Sequence, residues 1–433
     1  MRGILAALVG VSALVAASSA LADGTETLGP PSVAINTSAT RSIAAGVGMT
    51  GFVNTPNSFS VTVPAGAIVQ QVLLYWGGHY TEGFGAPDNT ISVNGNARVG
   101  AQVGGPAYFF TFMGDEYFTT YRSDITALAL VGPGVNLLTI SNMEFTSVHL
   151  NRANDGVGVI VLYTDPADPA GSTVAVRDGT DLAYSGFPAP RQTTVPQTFS
   201  FAPSLFARTA NVASMAGSVS DFAPEWGFRP NQLRIAFDLG GLGDVTIDNP
   251  YQSDEGLEWD ATNIPVLVPA GASQMTVQAL SGGPNPGGGL ATDASFSWNA
   301  TSVSVPGIPR NSVGCTPGYW KNHLDSWPAT GYSPNQALST VFSAVGLGSL
   351  GSKNLKQALE FGGGSTVEKK KQILLRAAVA SLLNAAHPGL DFGQTAAQVI
   401  AAVNTALATN DKDAILALAT DLDDQNNLGC TLN

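Results

Sequence analysis

Two cysteines and four histidines are the residues with the clearest potential for covalent or metal chemistry. Cys315 and Cys430 are the only cysteines, and in an exported protein two cysteines most simply form one disulfide. The alternative is a pair of free thiols. No two histidines have a zinc-binding spacing such as His-x-x-x-His, so the sequence does not favour a transition-metal site.

The densest group of carboxylates lies between positions 244 and 258. Asp244, Asp248, Asp254 and Glu255 carry the oxygen ligands that a hard cation such as Ca²⁺ prefers. The spacing is not that of an EF-hand, and solvated loop carboxylates are the alternative interpretation. The cofactor prediction is therefore either none or Ca²⁺.

Other acidic pairs raise the alternative of a glycan-active hydrolase. Glycoside hydrolysis needs two carboxyl groups ~5–10 Å apart, and the sequence offers Asp115-Glu116, Asp254-Glu255 and Glu258 with Asp260. Nothing in the sequence brings two of these groups together across a cleft. A nucleophile elbow and a phosphate-binding loop are also missing, so we expect a protein that is not an enzyme.

Aromatic residues supply two candidate ligand-binding surfaces, because an aromatic ring matches the apolar face of a sugar. One surface lies around Gly77-Gly78, where a strand is expected to end in a loop: Tyr75, Trp76, His79 and Tyr80. The other consists of Trp320 and Trp327 in the C-terminal region. A role in the core of a small helical domain is the alternative for these two tryptophans.

The region before residue 306 is dominated by short alternating segments separated by Gly/Pro turns, which are typical of β-sandwiches. The continuous apolar run Val157–Tyr163 predicts a central strand buried on both faces. Several segments recur in the same order after position 190; for example, Phe59–Val63 resembles Thr198–Phe201. We therefore predict two tandem antiparallel, jelly-roll-like β-sandwiches over residues 23–190 and 191–306.

Helical periodicity replaces strand patterns after the Pro/Gly-rich linker at 307–313. Residues 335–344, 353–361, 366–386, 395–408 and 412–425 have helical composition and spacing. We predict that residues 314–433 form a small all-α domain closed by the disulfide.

The N-terminus and the charge balance indicate where the protein acts. An apolar run at 4–17 followed by Ala20-x-Ala22 predicts a secretory signal peptide at 1–22, and an uncleaved anchor is the alternative. No later segment is long and apolar enough to span a bilayer. The formal net charge of −13 disfavours nucleic acid as a partner, because a phosphate backbone needs a basic surface.

The C-terminal region resembles a helical module of undefined role found in exported prokaryotic cell-surface proteins. The resemblance rests on the sequence Gly-Cys-Thr-Pro-Gly-Tyr-Trp-Lys-Asn-His from Gly314 to His323, on the segment Leu374–His387, and on Leu418–Cys430. It implies location rather than chemistry.

These observations predict a secreted or cell-surface protein of adhesion type that binds carbohydrate or another component of the cell envelope. The first alternative is a self-assembling structural subunit of a surface layer or appendage. The low charged fraction of 12% is compatible with such self-association. The second alternative is the glycan-active hydrolase.

Overall fold

The computed structural model describes residues 26–50, 56–111, 114–143, 151–166, 168, 171–204, 207–219, 227–307, 313–390 and 392–432. The predicted signal peptide at 1–22 and positions 308–312 of the predicted linker lie outside these ranges. Within them, no helix combines the length and the apolar character needed to cross a membrane.

The first nine strands of the described chain form two antiparallel sheets. They are β1 (Arg41–Gly48), β2 (Asn57–Val63), β3 (Ile68–Thr81), β4 (Thr90–Val93), β5 (Asn96–Val99), β6 (Ala101–Thr111), β7 (Asp115–Asp124), β8 (Gly134–Ser141) and β9 (Arg152–Thr164). Inner sheet 1 has the order β1-β9-β3-β7-β6, and outer sheet 1 has the order β2-β8-β4-β5. Their facing side chains, including Trp76, Leu138 and Val161, form the core of sandwich 1.

The next eight strands repeat this arrangement as sandwich 2. They are β10 (Thr173–Ala183), β11 (Gln197–Ser200), β12 (Arg208–Gly217), β13 (Asn231–Phe237), β14 (Val245–Asp248), β15 (Trp259–Val268), β16 (Gln274–Ser281) and β17 (Phe296–Val305). Inner sheet 2 has the order β10-β17-β12-β15, and outer sheet 2 has the order β11-β16-β13-β14. These orders match those of sandwich 1 strand for strand once β6 is left out, which confirms the predicted pair of sandwiches.

The change from one sandwich to the other comes earlier in the chain than the predicted boundary at 190. Strand β10 pairs with β17 from Thr173 to Ala183, so it belongs to sandwich 2. The change therefore falls between Thr164 and Thr173. The boundary at 190 is too late because the Ser/Ala/Gly-rich sequence of β1 carries little strand signal, so sandwich 1 lacks a strand unless β10 is counted in it.

The two inner sheets also pack face to face, which gives four β layers. Leu73 and Ile160 of inner sheet 1 share an apolar cluster with Met215 and Trp259 of inner sheet 2. Strands of the inner sheets are therefore covered on both faces, and all ten residues of β17 are buried. Strand β9 is buried along most of its length, which confirms the prediction of a central strand at Val157–Tyr163.

Glycines allow the inner sheets to approach closely at Trp259. A Cβ atom on Gly156 of β9 would lie 2.3 Å from the Cβ atom of Trp259, and one on Gly46 of β1 would lie 2.7 Å from its Nε1 atom. Any larger side chain at either position would push the sandwiches apart. The indole of Trp259 therefore packs against backbone in the interface between the sandwiches.

The C-terminal region is helical, as predicted, and the Cys315–Cys430 disulfide closes it. The helices are α1 (Pro317–Asn322), α2 (Leu355–Ala358), α3 (Val367–Ala386), α4 (Ala396–Thr409) and α5 (Lys412–Asn426). The expected helix at 335–344 is wrong, since only the 3₁₀ turn Leu338–Thr340 forms there. The backbone N–H of Leu338 donates to the carbonyl of Lys353 instead of continuing a helix.

Candidate functional site

The predicted ligand-binding residues Tyr75 and Trp76 are both fully buried. The Tyr75 hydroxyl donates to Asp178 in the interface between the sandwiches (3.0 Å). The Trp76 indole lies in the core of sandwich 1 and donates to the carbonyl of Asp88 (2.7 Å). Neither ring can receive a ligand, because β3 does not end at Gly77-Gly78 but continues to Thr81.

The other two predicted residues, His79 and Tyr80, are half-buried at the end of β3. Alternation along the strand sends their side chains to opposite faces of inner sheet 1. His79 lies in the interface between the sandwiches, where its Nδ1 atom is 2.9 Å from Oδ1 of Asp155. Tyr80 lies on the face that Trp76 and Tyr121 share, beyond the buried core.

Tyr80 is the first rung of a tyrosine ladder across three neighbouring strands. Tyr80 of β3 is directly opposite Tyr117 of β7, and Tyr117 is directly opposite Tyr108 of β6. The ring centroids are 5.7 Å apart in the first pair and 6.1 Å apart in the second. Tyr80 and Tyr108 are half-buried, whereas Tyr117 between them is only 9% exposed.

The loop after β10 extends this surface from sandwich 1 to sandwich 2. The guanidinium of Arg191 lies 5.7 Å from the ring centroid of Tyr108 and 4.9 Å from that of Phe187. Phe187 in turn packs edge-on against Tyr184, with centroids 5.2 Å apart. The tyrosine ladder and this loop therefore form one strip, in which every side chain except Tyr117 is half-buried. We call it the aromatic strip, and it consists of four aromatic residues of intermediate exposure, the buried Tyr117 and one arginine: Tyr80, Tyr117, Tyr108, Arg191, Phe187 and Tyr184.

Carboxylates and hydroxyls border the ladder at the β6–β7 end. The Tyr108 hydroxyl is 2.7 Å from Oγ1 of Thr111, which donates to Asp115 (2.7 Å). Burial raises the pKa of Tyr117, and the negative charges of Glu82 and Asp115 raise it further. The ladder thus combines apolar ring faces with oxygen acceptors of negative charge.

His79 carries a positive charge in the interface at neutral pH. Burial alone would lower its pKa, but the Asp155 carboxylate outweighs burial and raises the pKa to about 9. Ser218 donates to the other Asp155 oxygen (2.7 Å), so the carboxylate lies between serine and histidine. A serine nucleophile needs histidine as its direct base, and this order does not provide one.

The four predicted calcium ligands do not converge. Asp244 and Asp248 lie at β14 in outer sheet 2, whereas Asp254 and Glu255 lie in the loop that precedes β15. The Glu255 carbonyl accepts the N–H of Gly48, which holds this loop against β1 (2.9 Å). In the described part of the chain, no three His, Cys, Asp or Glu side chains are placed to hold a metal ion.

Asp260, one of the carboxyl groups considered for hydrolysis, is buried and lies beside Glu255 rather than exposed in a cleft. Burial and the neighbouring Glu255 carboxylate raise the pKa of Asp260 to about 9. Asp260 also accepts the backbone N–H groups of Ser253 (2.5 Å) and Asp254 (3.0 Å). These bonds fix the loop that precedes β15 and explain the pair structurally.

Trp320 and Trp327 lie in the core of the helical domain, which is the alternative that the sequence left open for them. They are 0% and 1% exposed. Trp320 donates to Oδ1 of Asn384 (2.8 Å), and Trp327 donates to the carbonyl of Trp320 (2.9 Å). In the same motif, Thr316 caps α1 and Tyr319 stacks on His323. The motif thus builds the helical domain.

One apolar cavity of about 150 Å³ lies at the start of β3, at the opposite end of the strand from Tyr80. Its lining consists mainly of aliphatic side chains: Val69, Val72, Ile125, Thr126, Ala129, Leu130 and Val131. It is small beside the ~300–1,000 Å³ of typical ligand sites and offers a single polar side chain. The aromatic strip is therefore the better candidate for a binding surface.

The buried carboxyl of Asp181 on β10 is expected to make the stability of the β region depend on pH. Burial raises the pKa of Asp181 to about 8, although its oxygen accepts the N–H of Val195 (2.8 Å). Because the folded state then holds a proton that the unfolded state releases above pH ~4, stability falls as pH rises towards 8. We expect Asp181→Asn to remove much of this loss and to raise the free energy of unfolding at pH 8 by roughly 2–5 kcal/mol, since each pKa unit corresponds to ~1.4 kcal/mol.

Urea unfolding at pH 5 and pH 8 measures this effect. The matched control is Asp254→Asn, which removes an exposed carboxylate and should leave the pH dependence unchanged. An Asp181→Asn variant that keeps the wild-type pH dependence would show that Asp181 ionises freely in the folded protein.

The comparisons with known proteins do not identify a family. No family model matches the chain, and no curated protein matches it. Among solved structures, the ANXUR2 extracellular domain from Arabidopsis thaliana has 9% identity and a TM-score of 0.19, with 65% of this chain and 88% of that chain covered. The glycosylasparaginase PNGase F from Flavobacterium meningosepticum has 11% identity and a TM-score of 0.21, with 61% and 95% covered. Scores this low carry no argument about function.

Proposed function

We propose that the protein is an exported, non-enzymatic surface protein that binds a neutral polysaccharide along the aromatic strip. The observation that carries the proposal is the tyrosine ladder, in which Tyr80, Tyr117 and Tyr108 are aligned across three strands. The same face of the sheet is buried two residue pairs earlier along β3 and β7, at Trp76 and Tyr121. Along β3 and its neighbours, the aromatic side chains thus change from buried to partly exposed at the ladder.

The chemistry of the strip suits a pyranose polymer. A tyrosine ring offers a large apolar face at little cost in conformational entropy, and its hydroxyl can stay in water. A β-linked pyranose has a flat apolar face that can stack on such a ring, and its equatorial hydroxyls point sideways. Asp115 and Thr111 lie beside the ladder and can accept or donate hydrogen bonds to these hydroxyls.

The two carboxylates beside Tyr117 disfavour anionic polymers at that end of the strip, whereas Arg191 is the cation at the other end. Glu82 and Asp115 are close enough to Tyr117 to raise its pKa, and the chain as a whole carries a net charge of −13. An acidic polysaccharide would meet repulsion from both sources. Neutral β-glucans, chitin and similar polymers avoid it.

Three features support a binding protein that works outside the cytoplasm. The disulfide favours an oxidising compartment. The predicted signal peptide and the resemblance of the C-terminal module to those of cell-surface proteins agree with export. The order of His79, Asp155 and Ser218 offers no activated nucleophile, which supports binding rather than catalysis.

Replacing the first rung tests the proposal. We expect Tyr80→Ala to weaken binding about tenfold or more, because loss of one stacked ring removes ~1–2 kcal/mol. Co-sedimentation of the purified protein with cellulose, chitin and xylan measures the effect. Tyr80→Phe keeps the ring and should bind as the wild type does.

Two outcomes would reject the proposal. One is a wild-type protein that sediments with none of these neutral polymers. The other is binding that is equally strong in Tyr80→Ala and wild type, which would place the site elsewhere.

A further inference from the structure

The outward face of outer sheet 1 lacks charge in a protein that is strongly acidic. Its exposed side chains on β2, β8 and β5 are hydroxylic or aliphatic: Ser58, Ser60, Thr62, Val135, Leu137, Ala97 and Val99. Val135 is 73% exposed, Leu137 is 60% exposed and Val99 is 69% exposed. We call these seven residues the uncharged face.

The central part of the uncharged face is regular. Val135 lies directly opposite Thr62, and Leu137 lies directly opposite Ser60, so aliphatic and hydroxylic side chains alternate across two strands. The Asn94 side chain donates to the carbonyl of Leu137 (3.2 Å) and accepts the N–H of Thr139 (2.6 Å). Asn94 thereby satisfies backbone groups of β8 that the short strand β4 does not reach.

Sandwich 2 provides an internal comparison, because its strands have the same order. Strand β16 is the counterpart of β8, yet its outward residues include Gln274, Thr276 and Gln278. The neighbouring strands of outer sheet 2 add the charges of Arg234 and Asp248. The two exposed aliphatic residues on β8 are therefore specific to sandwich 1 and are not a consequence of the fold.

We propose that the uncharged face is the contact between two copies of this protein. Identical molecules of net charge −13 repel each other, and repulsion is least where the approaching surfaces carry no charge. Two such faces can pack as sheets do in a sandwich, about 10 Å apart, with Val135 and Leu137 of each copy removed from water. The contact is isologous, so a two-fold axis closes it as a dimer.

The dimer has a consequence for the proposed glycan site. The tyrosine ladder lies on inner sheet 1, outside the uncharged face, so a dimer carries two ladders that the contact does not cover. Two linked sites raise the apparent affinity for a polymer without any new contact. This consequence rests on the proposed function, whereas the dimer itself does not.

Sedimentation velocity of the wild type and of Leu137→Lys tests the dimer. We expect the wild type to dimerise at micromolar concentration, and more strongly at high salt, because salt screens the repulsion of like-charged copies. Leu137→Lys should raise the dissociation constant about tenfold or more, since it buries two lysines in the contact. The control is Gln274→Lys on the equivalent strand β16, which should dimerise like the wild type.

The exposure of Leu137 means that the lysine variant should fold normally, and circular dichroism checks this. A wild type that stays monomeric at all concentrations would overturn the proposal. So would a dimer that is unaffected by both Leu137→Lys and Val135→Lys. Neither result would change the expected binding of monomers to a polymer. Sedimentation velocity therefore tests the dimer proposal separately from the proposed glycan site.

Discussion

Replacing Asn384 with alanine is expected to destabilise the helical domain by roughly 3–5 kcal/mol. The Asn384 amide is fully buried and uses all of its hydrogen-bonding groups. Its oxygen accepts the N–H of Cys315 (3.0 Å) and the indole N–H of Trp320 (2.8 Å). Its nitrogen donates to the carbonyl of Cys315 (3.0 Å) and to Asn426 (2.8 Å). Each buried polar group left without a partner costs ~1–3 kcal/mol, and these costs are not additive.

The measurement is denaturant unfolding of the whole chain followed at 222 nm, because the α-helices of the described residues all lie in this domain. Asn384→Asp keeps the acceptors but turns a carboxyl oxygen towards the Cys315 carbonyl and Oδ1 of Asn426, so we expect a loss at least as large. Asn322→Ala changes an exposed asparagine of α1 and should have little effect. A loss of less than 1 kcal/mol in Asn384→Ala would show that the disulfide alone holds Cys315 in place.

Replacing Arg122 with methionine is expected to destabilise the β region by a similar amount. Arg122 of β7 is 2% exposed and reaches across the interface to the carboxylate of Asp178 on β10. Its other terminal nitrogen donates to Ser32 (2.7 Å). Removing one partner of a buried ion pair leaves an uncompensated charge, which costs ~3–5 kcal/mol.

The pH dependence identifies the cause of this loss. Burial raises the pKa of Asp178, and Arg122 limits the rise. Without Arg122 the folded-state pKa of Asp178 is higher still, so the variant loses stability as pH rises from about 4. We therefore expect a smaller difference from the wild type at pH 4.5 than at pH 8.

Tryptophan fluorescence during urea unfolding provides the readout, since Trp259 is buried in the same interface. Arg234→Met on the exposed face of β13 is the matched control and should lie within ~0.5 kcal/mol of the wild type. An equal loss at both pH values would contradict an electrostatic cause.

Much of the architecture could be predicted from composition and periodicity. The β-then-α order, the two sandwiches and the disulfide follow from alternating segments, Gly/Pro turns and a cysteine count of two. Packing of the inner sheets against each other could not be predicted, because it depends on which glycines face Trp259. Strand β1 could not be predicted for a related reason. Its small residues suit close contact with Trp259 of the other sandwich, and they lack the β-branched and aromatic types that mark strands.

The candidate site was located only in part. Gly77-Gly78 was interpreted as the end of a strand, yet a Cβ atom on Gly78 would lie 1.9 Å from the carbonyl oxygen of Ala153. Gly78 therefore permits close contact between β3 and β9 in the middle of the pairing. Strand β3 continues past it to Thr81 and includes Tyr80. Tyr117 and Tyr108 are aligned with Tyr80 by cross-strand register, which periodicity within a single strand does not reveal.

Hydroxyl-radical footprinting with a soluble oligosaccharide shows whether the aromatic strip binds glycan. Cellohexaose or chitohexaose is used, according to which parent polymer co-sediments with the protein. We expect binding to lower the oxidation of Tyr80, Tyr108 and Phe187, while Tyr332 in the helical domain is oxidised as before. Saturating oligosaccharide that leaves Tyr80 and Tyr108 unprotected, or that protects residues outside the aromatic strip instead, would contradict the account.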